Sequence, residues 1–275
     1  MPTDIETVLV AGASGRTGRA ILDRLVDVDV TVRAHTTSSE KRQALRDRGA
    51  EAVVVGDLTD PMDAARAVAG VDAVVCTVGI SPDPRALFRP LVDGVGVENL
   101  VHAAVAAGVE LFVLESSLGV GDSRRMLPAP FRLLVLPVLK AKNDAEAELR
   151  TSGLTYTIFR PGRLTDAPAT GDVLVGEGGA TVAGSIPRED VARLMVAALF
   201  TPTAHDRTFE VVSRRGKRGK ARGLVDVDWT YPGGEVTTVE VLVEGKAAAE
   251  EEPGEPTEPE SETEEEPTGE EETEE

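Results

Sequence analysis

Gly12, Gly15 and Gly18 recur at three-residue spacing in VLVAGASGRTG, where an apolar strand pattern gives way to a helical one. Glycine lets the backbone turn sharply and approach a pyrophosphate, and the helix that follows offers free N–H groups and the positive end of its dipole. No Gly-Lys-Ser/Thr follows, so this is not the phosphate loop of nucleoside triphosphatases. The pattern points to a dinucleotide site, with a tight turn and close helix packing as the alternative. Which dinucleotide is read about 20 residues further on, where an acidic residue would accept hydrogen bonds from a free ribose 2′-hydroxyl. Arg33, His35, Thr36, Thr37 and Ser38 stand there and none is acidic, while Arg16 in the glycine turn adds a cation. A 2′-phosphate suits such a set, so NADP(H) is expected over NAD(H). The alternative is that Arg33 and His35 are ordinary exposed edge residues.

Two further strand tips carry candidate contacts. Asp57, in Gly56-Asp57-Leu58-Thr59-Asp60, could accept from an adenine amino group, and Gly79 would let backbone lie against a nicotinamide. Either could equally serve the start of the helix that follows.

The elements that must position these residues alternate from the start of the chain. Apolar strand-like runs are read at 5–10, 28–33, 52–55, 73–78, 109–114 and 155–159, with helices near 16–26, 39–48, 61–69, 92–107 and 139–151. A helix at about 188–200 and a last strand at 208–212 complete an α/β, doubly wound, mostly parallel sheet of Rossmann type. The expected dinucleotide-binding domain is residues 1–213. Its segment 163–187, rich in Gly and Thr, is read as a lid over the crevice beyond the strand ends. Residues 214–246 open with six basic residues in nine (RRGKRGKAR) and continue about the turn signal Pro232-Gly233-Gly234 as a small β-hairpin appendix. Residues 247–275 form a Glu-rich tail with no anchor for a core, expected to be disordered.

Composition bounds the function classes. The 275 residues carry a net charge of −19, but the last 30 hold 15 Glu and one Lys, which leaves −5 on the rest. Negative charge on that scale argues against general nucleic-acid affinity, and a small-molecule substrate is the expected partner. No run approaches the ~18 apolar residues of a membrane span, so a cytoplasmic protein away from the membrane is expected. The one cysteine, Cys76, excludes an internal disulfide, and no residue spacing suggests a metal site.

Beyond the glycines, GDLTD at Gly56 to Asp60, NLVHAAVAAGVELFVLESSLGV at Asn99 to Val120, SGLTYTIFRPGRLTD at Ser152 to Asp166 and IPREDVA at Ile186 to Ala192 stand in a familiar order. Together they resemble the atypical, NmrA-like branch of the short-chain dehydrogenase/reductase superfamily, which includes flavin and biliverdin reductase-like proteins. The resemblance spans about residues 5 to 213. It implies an NAD(P) site formed by Gly12, Ser14, Gly15, Arg16, Thr17 and Gly18, with adenine near Asp57 and Leu58. It places the nicotinamide near Gly79, Ser117, Lys142 and Pro161-Gly162. It also implies an Arg after the second strand for the 2′-phosphate; Thr37 stands there, which leaves that role to Arg16 and Arg33.

Ser117 and Lys142 are the candidate catalytic residues. In the wider superfamily a Tyr four residues before the Lys donates the proton, but Val138 occupies that place. A flavin, quinone or bilin-like acceptor delocalises incoming charge, so hydride transfer to it can proceed with protonation by water. The expected function is therefore an NADPH-dependent oxidoreductase of a small conjugated acceptor. The alternative is a non-catalytic NADP(H) sensor or scaffold. Glu115 is either an acid at the crevice or a solvated strand-tip charge. Lys142 and Glu146, four apart, could be a surface helix pair.

Overall fold

Strand β1 (Thr7–Ala11) is buried over its last four residues, Val8 to Ala11, without polar alternation. That is the pattern of a strand covered on both faces. A computed structural model of the chain describes residues 5–79, 91–126, 129–231 and 237–238. In it β1 pairs in parallel with β2 (Thr31–Thr36) on one side and β4 (Ala73–Cys76) on the other. With β3 (Ala52–Val55), β5 (Leu111–Glu115), β6 (Thr155–Pro161), β8 (Val173–Glu177) and β10 (Arg207–Ser213), the sheet has the order β3-β2-β1-β4-β5-β6-β10-β8. All pairs are parallel except β10 with β8. The doubly wound α/β fold expected from the alternation is the one observed.

Two layers of helix cover the sheet. On one face α1 (Arg16–Leu25) and α6 (Arg188–Leu199) bury Ile21, Leu22, Leu25 and Met195 against Val8, Val10 and Val113. On the other, α3 (Pro61–Val68), α4 (Val97–Ala107) and α5 (Ala129–Thr151) bury Val68, Leu100, Val101 and Leu149 against Leu9, Val74 and Phe112. Local chemistry sets their ends. Asp60 caps α3 through Met62 N–H with Pro61 at its first position, and Gly108, at φ +73°, closes α4. Strand order reverses between β1 and β4, and ligands of open α/β sheets bind at the carboxyl edge of such a switch point.

Three sequence expectations are corrected. Strand β2 begins at Thr31, not Val28, because Val28 and Val30 are held in a turn by Leu25 O and Val28 O. The helix expected at 39–48 is a 3-10 turn, Ser39–Lys41, and the short α2 (Arg42–Arg46). Helix α5 starts at Ala129, ten residues before the expected 139, with Pro137 inside it on its exposed side. Within segment 163–187, β8 extends the sheet edge, and β7 (Arg163–Thr165) pairs in parallel with β9 (Ser185–Pro187).

Beyond residue 213 the chain is no mere appendage. Trp229, in β11 (Asp228–Trp229), is fully buried, its ring 5.9 Å from Phe159 and 5.7 Å from Phe209. β11 pairs antiparallel with β12 (Thr237–Thr238), the short hairpin pairing that the turn signal implies. The turn Pro232-Gly233-Gly234 and the Glu-rich tail 247–275 lie outside the described residues. Among the described residues no helix is long and apolar enough to cross a membrane.

Candidate active site

The glycine turn links β1 to α1 at the switch point. Gly12 has φ +82°, and a Cβ on Gly18 would lie 2.3 Å from Gly12 O, so glycine is required at both places. Gly15 is exposed, and a Cβ there would have Gly12 O, at 3.1 Å, as its one neighbour. Helix α1 opens with no side-chain cap and no acidic residue in its first turn, which leaves its positive end for an anion. Ser14 is tied to the end of β2, since Thr36 donates from Oγ1 to Ser14 Oγ at 3.0 Å. Ser38 N–H in turn donates to Thr36 Oγ1. These residues fit a pyrophosphate.

At the tip of β5 a second group converges. Lys142, on α5, lies with Nζ 2.9 Å from Asp93 Oδ1, in the π-helical turn Val92–Gly96 that leads into α4. Burial works against the ammonium, but the Asp93 carboxylate outweighs it and raises the Lys142 pKa, keeping the group charged. Nζ also donates to Glu115 O at 3.5 Å. Gly79 sits over the pair: a Cβ there would be 3.3 Å from Asp93 Oδ1 and 3.9 Å from Nζ. On the other side of the strand Thr17 Oγ1 donates to Glu115 Oε1 at 3.2 Å. Glu115 is 7% exposed, so it is no solvated strand-tip charge. Burial pushes its pKa up to about 7, against Lys142, the Thr17 hydroxyl and Arg188. Ser117, half-buried just past the strand, donates to Leu118 O. Gly12, Gly15, Thr17, Gly79, Ser117 and Lys142 thus share the carboxyl edge of the sheet.

Other candidates are placed differently. Arg33 stands inside β2 and donates to Ala67 O and Ala69 O at the end of α3, so it is withdrawn from the 2′-phosphate role expected of it. His35 is buried, its Nε2 3.1 Å from Gly56 O, and burial lowers its pKa, so it is neither an exposed edge residue nor a cation at neutral pH. Arg16 reaches across to Asp166 at 2.5 Å, which Arg188 also grips, so its charge points along the rim rather than to the end of β2. Thr37 is exposed after β2. Asp57 is exposed and accepts from Thr59 N–H and Oγ1, shaping the turn before α3; Leu58 beneath it is buried, its carbonyl held by Asn99 Nδ2.

At the end of β6, Pro161 O accepts from Leu118 N–H, and Gly162 is glycine because a Cβ would strike Gly184 O at 2.6 Å. Glu146 does not pair with Lys142. Buried, it takes both a fork from Arg160 and a bond from Arg150. Cys76 is a buried thiol whose pKa burial pushes up to about 12. Tyr156, at the start of β6, lies at the opposite edge of the sheet from the crevice.

Asp93 and Asp166 are the site residues that sequence reasoning passed over. Asp93 does leave a trace, as a lone acid between apolar residues and glycines in LVDGVG. Its partner forty-nine positions later is set by packing alone.

A sequence profile for NAD(P)H-binding proteins matches residues 12–202. The chain belongs to that family. Within it the protein falls in the atypical, NmrA-like short-chain dehydrogenase/reductase group. An uncharacterized chloroplastic protein of Arabidopsis thaliana is 36% identical over 215 residues, covering 75% of this chain and 76% of that protein. An uncharacterized sugar epimerase of Bacillus subtilis, YhfK, is 32% identical over 205 residues, covering 74% and 92%. Among solved structures, ChuY, an anaerobilin reductase of Escherichia coli O157:H7, superposes with a TM-score of 0.68 at 25% identity, covering 78% of this chain and all of that one.

Proposed function

We propose that this family member is an NADP(H)-dependent reductase that passes hydride to a small conjugated acceptor such as a flavin, quinone or bilin. The observation that carries the reading is Lys142 held charged and nearly buried by Asp93, beside Gly79 at the carboxyl edge of the sheet. When bound, the cofactor supplies the hydride. The chain's part is to hold and orient. The open N-terminus of α1, with Gly12, Ser14, Gly15 and Thr17, would take the pyrophosphate, and Asp57 and Leu58 would flank the adenine. Lys142 would donate to the ribose of the nicotinamide half, with Ser117 and Pro161-Gly162 bordering the ring.

The 2′-phosphate would be met by Lys41 and Arg42, both exposed just past β2, now that Arg33 and Arg16 are engaged elsewhere. Likeness to an anaerobilin reductase supports a conjugated acceptor. So does Val138, because an acceptor that spreads the incoming charge needs no phenol at that place. The chain's two tyrosines, Tyr156 and Tyr231, do not supply one: Tyr156 is the second residue of β6, at the edge of the sheet away from the crevice, and Arg193 of α6 lies over the Tyr231 ring. Sugar epimerisation, the activity named for the Bacillus relative, would lack that phenol.

The same Val138 favours a second reading, a nucleotide-dependent sensor without turnover. Purified protein with NADPH and a panel of flavins, quinones and bilins, at low and at multimolar salt, separates the two. Cofactor oxidation with any acceptor is expected. Binding without oxidation across the panel would replace the reductase by the sensor.

A further inference from the structure

Glu115 closes β5 with its side chain on the α1 face of the sheet, one hydrogen bond from the glycine turn. The neighbouring cations are already engaged. Lys142 gives Nζ to Asp93 and touches only the Glu115 backbone carbonyl, and Arg188, the first residue of α6, is bound to Asp166. The charged and titratable groups that bear on the carboxylate are Lys142 from α5, Arg188 from α6, Asp93 from the turn before α4 and the Cys76 thiol from β4. From α1 it meets the neutral Thr17 hydroxyl. Among the described residues no cation lies within ion-pair distance of it. A buried carboxylate with a neutral partner answers strongly to any new charge in the crevice.

The pyrophosphate, seated at Thr17 in the reading above, brings negative charge beside Glu115 in both forms of the cofactor; a positive charge arrives with one form only. The oxidised nicotinamide ring is a cation and the reduced ring is neutral. We infer that Glu115 makes the crevice distinguish oxidised from reduced cofactor through a proton: the Glu115 carboxyl gives up its proton to solvent more readily with NADP+ bound than with NADPH bound. This rests on the cofactor reading above. With the Glu115 pKa near about 7, both protonation states are populated at neutral pH, while Lys142 stays charged throughout. Relative to NADPH, the oxidised product is therefore held more firmly as pH rises.

Titration of the full chain with NADP+ and with NADPH, at about pH 6 and about pH 8, reads this directly. The 2′-phosphate titrates in both cofactors and cancels in the ratio of their dissociation constants. That ratio, NADP+ over NADPH, is expected to fall about fivefold over this range, which corresponds to about one pKa unit of coupling. In Glu115→Gln it is expected to be flat. Calorimetry of the unaltered protein in two buffers of different ionisation heat should show more proton release, or less uptake, with NADP+ than with NADPH, a readout that needs no variant to fold. A ratio independent of pH in the unaltered protein overturns the inference and leaves the cofactor site standing. A pH-dependent ratio that survives in Glu115→Gln also overturns it. Failure of both cofactors to bind at either pH removes the cofactor reading itself, and this inference with it.

Discussion

Lys142 Nζ and Asp93 Oδ1 form an ion pair at 2.9 Å, with the lysine side chain 14% exposed and the aspartate 1%. The pair joins α5 to the turn before α4, and Gly79 keeps it reachable from the crevice. Breaking a buried pair strands the remaining charge, so Lys142→Met and Asp93→Asn should each lower stability by about 3 kcal/mol. The double variant should lose clearly less than the sum. Urea denaturation of the four proteins measures this. Additive losses would show two independent residues. Lys142→Met should also lower turnover about tenfold or more through a misplaced ribose; unchanged kinetics would leave the pair a purely structural role.

Glu115 makes stability depend on pH in an unusual direction. Its pKa in the folded chain, about 7, lies above its ordinary 4.5, so the fold holds the proton more tightly than the unfolded chain does. The stability this gives is complete below about pH 4 and is lost as pH rises through about 7. Glu115→Gln should therefore be more stable than the parent at pH 8, by about 1–3 kcal/mol, with the gap closing towards pH 5. Denaturation midpoints at the two pH values decide it. An equal difference at both would contradict a buried, protonated Glu115.

Much of this was legible in the residues. The apolar runs of β1, β3 and β4, the glycine turn and the Asp60-Pro61 start of α3 are local signals, and local signals survive in a sequence. The site failed where a few residues of register decided it. With β2 starting at Thr31, Arg33 becomes an interior strand residue and the strand ends at Thr36. Helix α5 runs ten residues further back than its expected start, through Pro137, which is accommodated on its exposed side. Asp93 and Lys142, or Arg16 and Asp166, meet only after the sheet is assembled, and no spacing announces such a contact.

Trp229 extends the folded unit past the last core strand. Trp229→Ala removes the ring that packs on Phe159 and Phe209, and should destabilise the protein by about 3–5 kcal/mol. A thermal melt against the parent checks it. A change within measurement error would mean that residues beyond 213 contribute little to the core.

Cofactor choice should follow the cations after β2. Lys41→Ala with Arg42→Ala should reduce the preference for NADPH over NADH about tenfold, the scale of one lost charge-assisted contact. Arg16→Ala, which breaks an exposed pair with Asp166, should leave that preference nearly unchanged. Paired titrations with both cofactors give the comparison. The reverse ranking would return the 2′-phosphate to Arg16.

The glycine turn admits the most direct measurement. Gly15 has φ −70°, so valine fits its backbone, and a Cβ there would meet only Gly12 O at 3.1 Å. The rest of the side chain would project into the space in front of α1. Equilibrium titration of NADPH against the parent and Gly15→Val, with circular dichroism to show both folded, tests whether that space is the dinucleotide site. Saturable binding by the parent and a loss of about a hundredfold or more in the variant is expected, the scale of an excluded pyrophosphate. Equal affinity in a folded Gly15→Val protein would place the cofactor elsewhere and contradict the crevice as its site.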